Sequence, residues 1–199
     1  MPPPTDRRAE RGEQTRAKLI ATARALFAER GYAAVGTNEV VERAGVTRGA
    51  LYHHFRDKQD LFRAVHVEAE QELVAAGAAR LADATDGWER LVAGVRGFFD
   101  ACEDPGLRRI VLLDAPAVLG WQEWREVGNE YGLAAVAIVL QAAMDEGVLR
   151  RADVRNLAHV LTAALSEAAL VVANADDPAS AREGLEATLL GLLEGLRVG

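Results

Sequence analysis

One cysteine, Cys102, stands in 199 residues. A lone thiol cannot bridge within the chain, so a disulfide scaffold is excluded. Long apolar runs are lacking too. The longest stretches without a charge, Tyr131 to Met144 and Asn156 to Ser166, fall short of the roughly 18 residues a membrane span needs. The start, Met-Pro-Pro-Pro-Thr-Asp-Arg-Arg, holds no apolar segment of the kind a secretion signal requires. The cytoplasm is the expected compartment, and no membrane partner is expected. No segment alternates apolar and polar residues as a strand does, and no internal repeat is visible. Catalytic motifs are missing as well: there is no Ser-His-Asp arrangement, no phosphate loop and no metal spacing, and His66 and His159 stand isolated. An enzyme needs a convergent set of acid, base or nucleophile, so an enzyme, a cofactor and a metal are not expected.

What is present is helix. Half the residues are apolar and 27% are charged, the composition of an ordinary globular protein rather than a disordered one. The net charge of -7 divides unevenly: residues 1–65 carry +4 and residues 66–199 carry -11. A polyanion partner would meet the basic head. Residues 1–12 show no apolar period and read as a mobile arm. Leu19, Ile20, Ala23, Leu26 and Phe27 then recur at helical steps up to Gly31. Thr37 opens a short second helix, Thr47 caps a third reaching about Phe55, and Asp57 caps a fourth reaching about Leu81. Trp88, Leu91, Val95, Phe98, Phe99 and Cys102 form a 3.6-period stripe on a fifth. That stripe makes Cys102 an inert core residue. A short helix follows Pro105. Pro116 and Gly120 break the chain before a long seventh helix ending near Gly147. Two last helices run from about Val154 to Asn174 and from about Ala179 to Leu196. The expected fold is all-α, about nine helices, in three regions: the arm 1–12, a helix-turn-helix unit 13–57 and a larger body 58–199.

The second and third helices are joined by Ala44-Gly45-Val46, small enough for a close crossing. Val40, Val46, Leu51 and Phe55 can lock the pair. The opposite face of the third helix then offers Thr47, Arg48, Tyr52 and His53, with partial positive charge at its N-terminus. His53 and His54 do not form a metal site, because adjacent helical residues diverge by about 100°.

The segment GYAAVGTNEVVERAGVTRGALYHHFRDKQDLF, Gly31 to Phe62, closely resembles the N-terminal domain of TetR-family transcriptional regulators, most specifically from Ala44 onward. At motif level the resemblance covers about 50 residues, Thr15 to about Val65; beyond that only the all-helical layout matches. It implies a homodimer on a palindromic double-stranded DNA operator, with a small-molecule effector in the body whose binding usually releases the DNA. It places Arg48, Asn38 and Gly49 at base-reading positions, where Arg48 could take guanine O6 and N7 together and Gly49 lets the backbone come near. It places Thr37, Thr47, Tyr52, His54 and Lys58 at phosphate-contacting positions; His53 stands at a position where the family varies and is counted as a further phosphate candidate. Arg7, Arg8 and Arg11 in the arm could add phosphate or minor-groove contacts, solvation being the simpler reading. A repressor is the expected role; an activator or a ligand-independent DNA-binding protein is the alternative.

In the body, aromatic residues gather on the fifth to seventh helices: Trp88, Phe98, Phe99, Trp121, Trp124 and Tyr131 are candidates to line an apolar pocket or fill the core. His159, Glu167 and Asn174 share one face of the eighth helix, toward ligand or solvent. Small-residue stripes mark a candidate dimer interface, because they let helices approach closely. On the eighth helix these are Ala158, Thr162, Ser166, Ala169 and Ala173. On the ninth they are Gly184, Thr188, Gly191 and Gly195. A four-helix bundle across a two-fold axis would bury both.

Overall fold

The computed structural model describes the backbone of residues 4–198 and the side chains of residues 9–198. Helix α1 spans Pro4–Arg30, α2 Thr37–Ala44, α3 Arg48–His54, α4 Lys58–Arg80 and α5 Gly87–Cys102. One helical run then covers residues 105–145. Gly120 interrupts it with φ 79° and ψ 164°, a backbone that only glycine adopts without strain. The run therefore divides into α6, 105–119, and α7, 121–145. Helix α8 spans Val154–Ala173 and α9 Pro178–Glu194. Among the described residues there is no strand, and the helix count is nine when the run is divided at Gly120.

Side-chain caps set most of the starts. Thr47 accepts a hydrogen bond from the Ala50 amide at 3.1 Å. Asp57, Asp86, Asp104, Asp153 and Asp177 cap α4, α5, α6, α8 and α9 in the same way. Each cap satisfies an orphan amide, worth about 1 kcal/mol. Gly45 ends α2 in the left-handed region at φ 61°, so the chain reverses within one residue into α3.

Three expectations change. The segment expected as an arm is helical from Pro4 onward; its Arg, Ala and Glu residues favour helix, and residues 9–11, the first whose side chains are described, are exposed. The side chains of Arg7 and Arg8 lie outside the described residues. Pro116 does not break the chain. It sits at the start of the α-helical segment after a π-helical turn, Arg109–Asp114, where a missing N–H is tolerated. The helix after Pro105 is accordingly longer than expected. Finally, two helical runs, Pro105–Asp145 and Val154–Ala173, are long and apolar enough by composition to cross a membrane when a few charges are allowed. Both instead contribute buried side chains to the body, among them Leu140, Ala143, Leu161 and Leu165.

Two apolar clusters hold the fold. One joins the head to the body: Leu19, Phe27, Val40, Leu51 and Phe55 pack in the same cluster as Phe62, Leu107, Ile110 and Ala115. The other lies wholly in the body, between α5, α7, α8 and α9. The boundary expected at residue 57 thus marks a change of surface, while one core runs beneath it. Helix α4 belongs to both sides, packing on α1 at one end and α5 at the other.

Candidate functional site

The α2–α3 turn holds the head's outward face. Val40, Leu51 and Phe55 are buried and Val46 half-buried, which turns Asn38, Thr47, Arg48, Gly49, Tyr52 and His53 outward, all exposed. The Arg48 guanidinium lies 5.5 Å from the centre of the Tyr52 ring. Hydrogen bonding by Thr37, and then Arg48, holds the Tyr52 phenol below its ordinary pKa. Thr37, Arg48 and Tyr52 therefore gather where α2 meets α3. A Cβ at Gly49 would meet only the Thr47 hydroxyl, at 3.9 Å, so nothing else crowds that part of the helix.

Two expected phosphate ligands are placed less freely. His54 is half-buried against the Phe55 ring and beside Gly12 of α1. Lys58 is half-buried at the start of α4. Its Nζ donates to the Tyr32 carbonyl at 2.5 Å and lies 3.9 Å from the centre of that ring, and burial lowers its pKa. Two of its three N–H groups remain for another acceptor. Among the described residues no group of three ligating side chains could hold a metal.

Tyr32 is a junction that the sequence did not announce. Its amide donates to Asp114 Oδ2 of α6 at 2.8 Å, its carbonyl takes Lys58 of α4, and its ring meets Phe27 and Phe62 edge-on or tilted. Arg109 of α6 donates to the carbonyls of Ala28 and Glu29 at 3.1 and 2.9 Å, satisfying orphan acceptors at the end of α1. The head is thereby tied to α6, and the polar groups that do it carry no periodic signal.

Behind α6 lies a cavity of about 170 Å³. Val111 and Leu112 from the π turn of α6 line it, with Glu70 and Leu73 of α4, Phe98 of α5 and Trp124 of α7. Trp124 donates from its indole to the Val111 carbonyl at 3.1 Å. A second π-helical turn, Asn129–Leu133, supplies Asn129 and Gly132 to the wall. Such turns widen the helical register and recur at functional sites.

The aromatic candidates divide. Phe98 and Trp124 line the cavity. Phe99 is buried in the body core. Trp88 packs against that core with the Arg197 guanidinium over its ring. Tyr131 is half-buried outside the lining, and Trp121 is 69% exposed. His159 bonds to Arg125 at 3.2 Å and is not in the lining. Glu167 and Asn174 face outward on α8. Among the missed lining residues Glu70 stands out; it sits on α4, whose amphipathic pattern gave no sign of a second buried face.

The small-residue stripes also divide. On α9, Gly184, Thr188, Gly191 and Gly195 are exposed, beside Leu192 at 66%. On α8 the small stripe points inward. Ala158 and Ala169 are buried in the cores, Thr162 and Ser166 line the cavity, and Ala173 is half-buried. The outward face of α8 carries Val160, Ala163, Glu167 and Val171 instead. The period of an apolar helix marks two faces without saying which one is covered. Cys102 is buried, and burial pushes its thiol up to about 12, which leaves it inert at neutral pH.

Comparison with known proteins matches two families along the chain. Residues 19–65 match the family described as bacterial regulatory proteins, tetR family, and residues 88–196 match the one described as Tetracyclin repressor-like, C-terminal domain. The chain is similar to the transposon Tn10 TetC protein of Escherichia coli, 28% identical over 190 residues, covering 94% of this chain and 95% of that one. It is similar to the HTH-type transcriptional activator FasR of Mycolicibacterium smegmatis, 38% identical over 91 residues, covering 46% of this chain and 42% of that one. A solved TetR-family transcriptional regulator from Pectobacterium atrosepticum superposes with a TM-score of 0.81 at 35% identity, covering 96% of this chain and 97% of that one.

Proposed function

The chain belongs to the TetR family of DNA-binding transcriptional regulators, and on that premise we propose that it is a cytoplasmic repressor that binds a palindromic operator as a homodimer and is released by a small molecule held in the body cavity. One observation carries the reading: the cavity walls and the supports of the DNA-facing helices are the same pieces of chain. Helix α4 brings Glu70 and Leu73 to the cavity and Lys58 to the head, a span of about 18 Å at 1.5 Å per residue. Helix α6 brings Val111 and Leu112 to the cavity and Arg109 and Asp114 to the end of α1. A ligand that displaces either wall moves the head with it, and it shifts the balance only by its differential affinity for the two arrangements.

In this reading Arg48, with Asn38 beside it, reads base edges. Gly49 allows close approach, and Thr37, Thr47, Tyr52, His53, His54 and Lys58 hold phosphates. The exposed apolar face of α8 and α9 supplies the two-fold interface, Gly191 and Leu192 near its centre.

A second reading, activation, is kept because the Mycolicibacterium smegmatis relative is named an activator. The sign depends on where the operator lies, and a reporter behind it with and without the gene separates the two. The binding test itself is enrichment of duplexes from a random pool by the purified protein. A palindromic consensus is expected, as two-fold symmetric heads demand; a consensus without a dyad, or no enrichment, contradicts the reading.

A further inference from the structure

The cavity has a polar end that its apolar lining does not explain. Glu70 is 5% exposed, and its carboxyl lines the cavity. Among the described residues it has no hydrogen-bond partner and no cation paired with it; burial is the sole cause that raises its pKa, to about 7. The His66 ring, one helical turn away, has Nε2 3.9 Å from Glu70 Oε1. Both ring nitrogens are buried without partners among the described residues, and burial depresses that pKa to about 4, so His66 supplies no countercharge. Gly128 and Gly132 lie over the carboxyl: a Cβ on either would stand 3.8 and 3.5 Å from its oxygens. A carboxyl left unsatisfied in an apolar wall costs free energy unless a partner arrives.

We propose that this cavity binds a small amine, its apolar body against Phe98, Trp124 and Leu165 and its protonated nitrogen on the Glu70 carboxylate. The site deepens the effector reading above and rests on it. Size sets a limit: a cavity near 150 Å³ holds about one benzene ring, so at about 170 Å³ the occupant is one ring with a short substituent. Sign follows from the charges present. Arg125, the one cation in the lining, is already engaged by His159 and stacks on Trp121 and Trp124. The buried, unpaired group is the acid. An anionic ligand would bring a second negative charge to Glu70, whereas an amine converts a costly carboxyl into a charge-assisted pair.

Calorimetry on the protein without DNA, using benzylamine, benzyl alcohol and benzoate, tests this. Benzylamine should bind more tightly than benzyl alcohol by about tenfold or more, the size expected for a hydrogen bond between charged groups, and benzoate most weakly. In Glu70→Gln the amine preference should vanish while benzyl alcohol binds as before. Equal binding of amine and alcohol, preference for benzoate, no binding of benzylamine at millimolar concentration, or an amine preference that survives in Glu70→Gln would overturn the proposal. The order of the three probes on the unaltered protein decides the matter even if the variant is unstable. Benzylamine that binds but leaves duplex affinity unchanged would count against release by the cavity and not against the amine site.

Discussion

The outward face of α3 and the body use their charges in opposite ways. In the body many arginines are paired with acids. Arg182 contacts Asp100 and Glu103, Arg80 shares Asp100, Arg96 meets Glu186, and Arg90 meets Glu146. On the α3 face, Arg48 has no acidic partner among the described residues and leans on Tyr52 instead. The body, at -11 over residues 66–199, repels a polyanion, while the head is at +4; there Arg24, Arg30, Arg43, Arg56 and Arg63 are paired with acids, and Arg48 on the α3 face is left out of that pairing. Pairing inside the body fixes helices to one another; leaving Arg48 unpaired spares it the cost of breaking an ion pair before it reaches DNA. The difference separates residues that hold the molecule together from residues held ready for a partner.

The contrast is one of surface, because the core is shared. Removing the shared core is therefore the most damaging change. Phe62 is fully buried between Phe27 and Tyr32, and Phe62→Ala should destabilise the protein by about 3–5 kcal/mol. Chemical denaturation should still show one transition for head and body. Two separate transitions, or a loss under about 1 kcal/mol, would mean the two regions fold independently.

The second change acts on Glu70, the one unpaired buried acid among the described residues of the body. The folded-state pKa of Glu70 is raised from 4.5 to about 7, so its contribution to stability is present below pH 4.5 and lost as pH rises through 7. That of His66 is depressed from 6.5 to about 4, so its contribution is present above pH 6.5 and lost as pH falls through 4. The two slopes oppose each other between pH 4.5 and 6.5 and act singly outside that window. Glu70→Gln removes the upper limb, and relative to wild type it should gain up to about 3 kcal/mol between pH 4.5 and 7. Denaturation curves for both proteins across this range check it; parallel profiles would mean Glu70 is ionised in the folded protein.

How much of this could be read from the chain depends on how far apart the contributing residues lie. The head's face runs from Thr37 to Lys58 in one unbroken stretch, so turn chemistry, caps and the resemblance placed its residues together. The all-helical body and the break at Gly120 followed from periodicity and glycine. The cavity did not, because its wall is drawn from α4, α5, α6, α7 and α8, and Glu70 looks in sequence like any solvated acid. Thr162 and Ser166 were expected at an interface because small residues suit a close helix contact and a cavity wall equally well. The Tyr32 junction was invisible for another reason: a backbone amide and carbonyl carry no side-chain signature.

Loosening that junction is the third test. Asp114→Ala leaves the Tyr32 amide without its acceptor and should cost about 1–3 kcal/mol by chemical denaturation, with affinity for selected and scrambled duplexes falling together. Loss of affinity for the selected duplex alone would make Asp114 part of base reading. A fourth pair of variants sharpens the division between buried and outward small residues. Ala169 is 3% exposed in the core, so Ala169→Trp should unfold the chain. Gly191 is exposed with nothing within 4 Å of an added Cβ, so Gly191→Leu should leave the fold intact and weaken only association, by about 1–3 kcal/mol. Sedimentation beside a melting curve separates them, and an intact Gly191→Leu dimer at nanomolar concentration would move the interface elsewhere.

The most direct test asks whether the unpaired arginine of the α3 face, Arg48, reads sequence. Arg48→Ala and Lys58→Ala are titrated against a selected palindrome and a scrambled duplex at one salt concentration. Loss of a bidentate base contact should cost about 1–3 kcal/mol at each half-site and collapse the ratio of the two affinities for Arg48→Ala. Lys58→Ala should keep the ratio and reduce the slope of log K against log salt by about one. If Arg48→Ala instead weakens both duplexes by the same factor, Arg48 is a phosphate clamp like Lys58, and the assignment of base reading to the α3 face through Arg48 is contradicted.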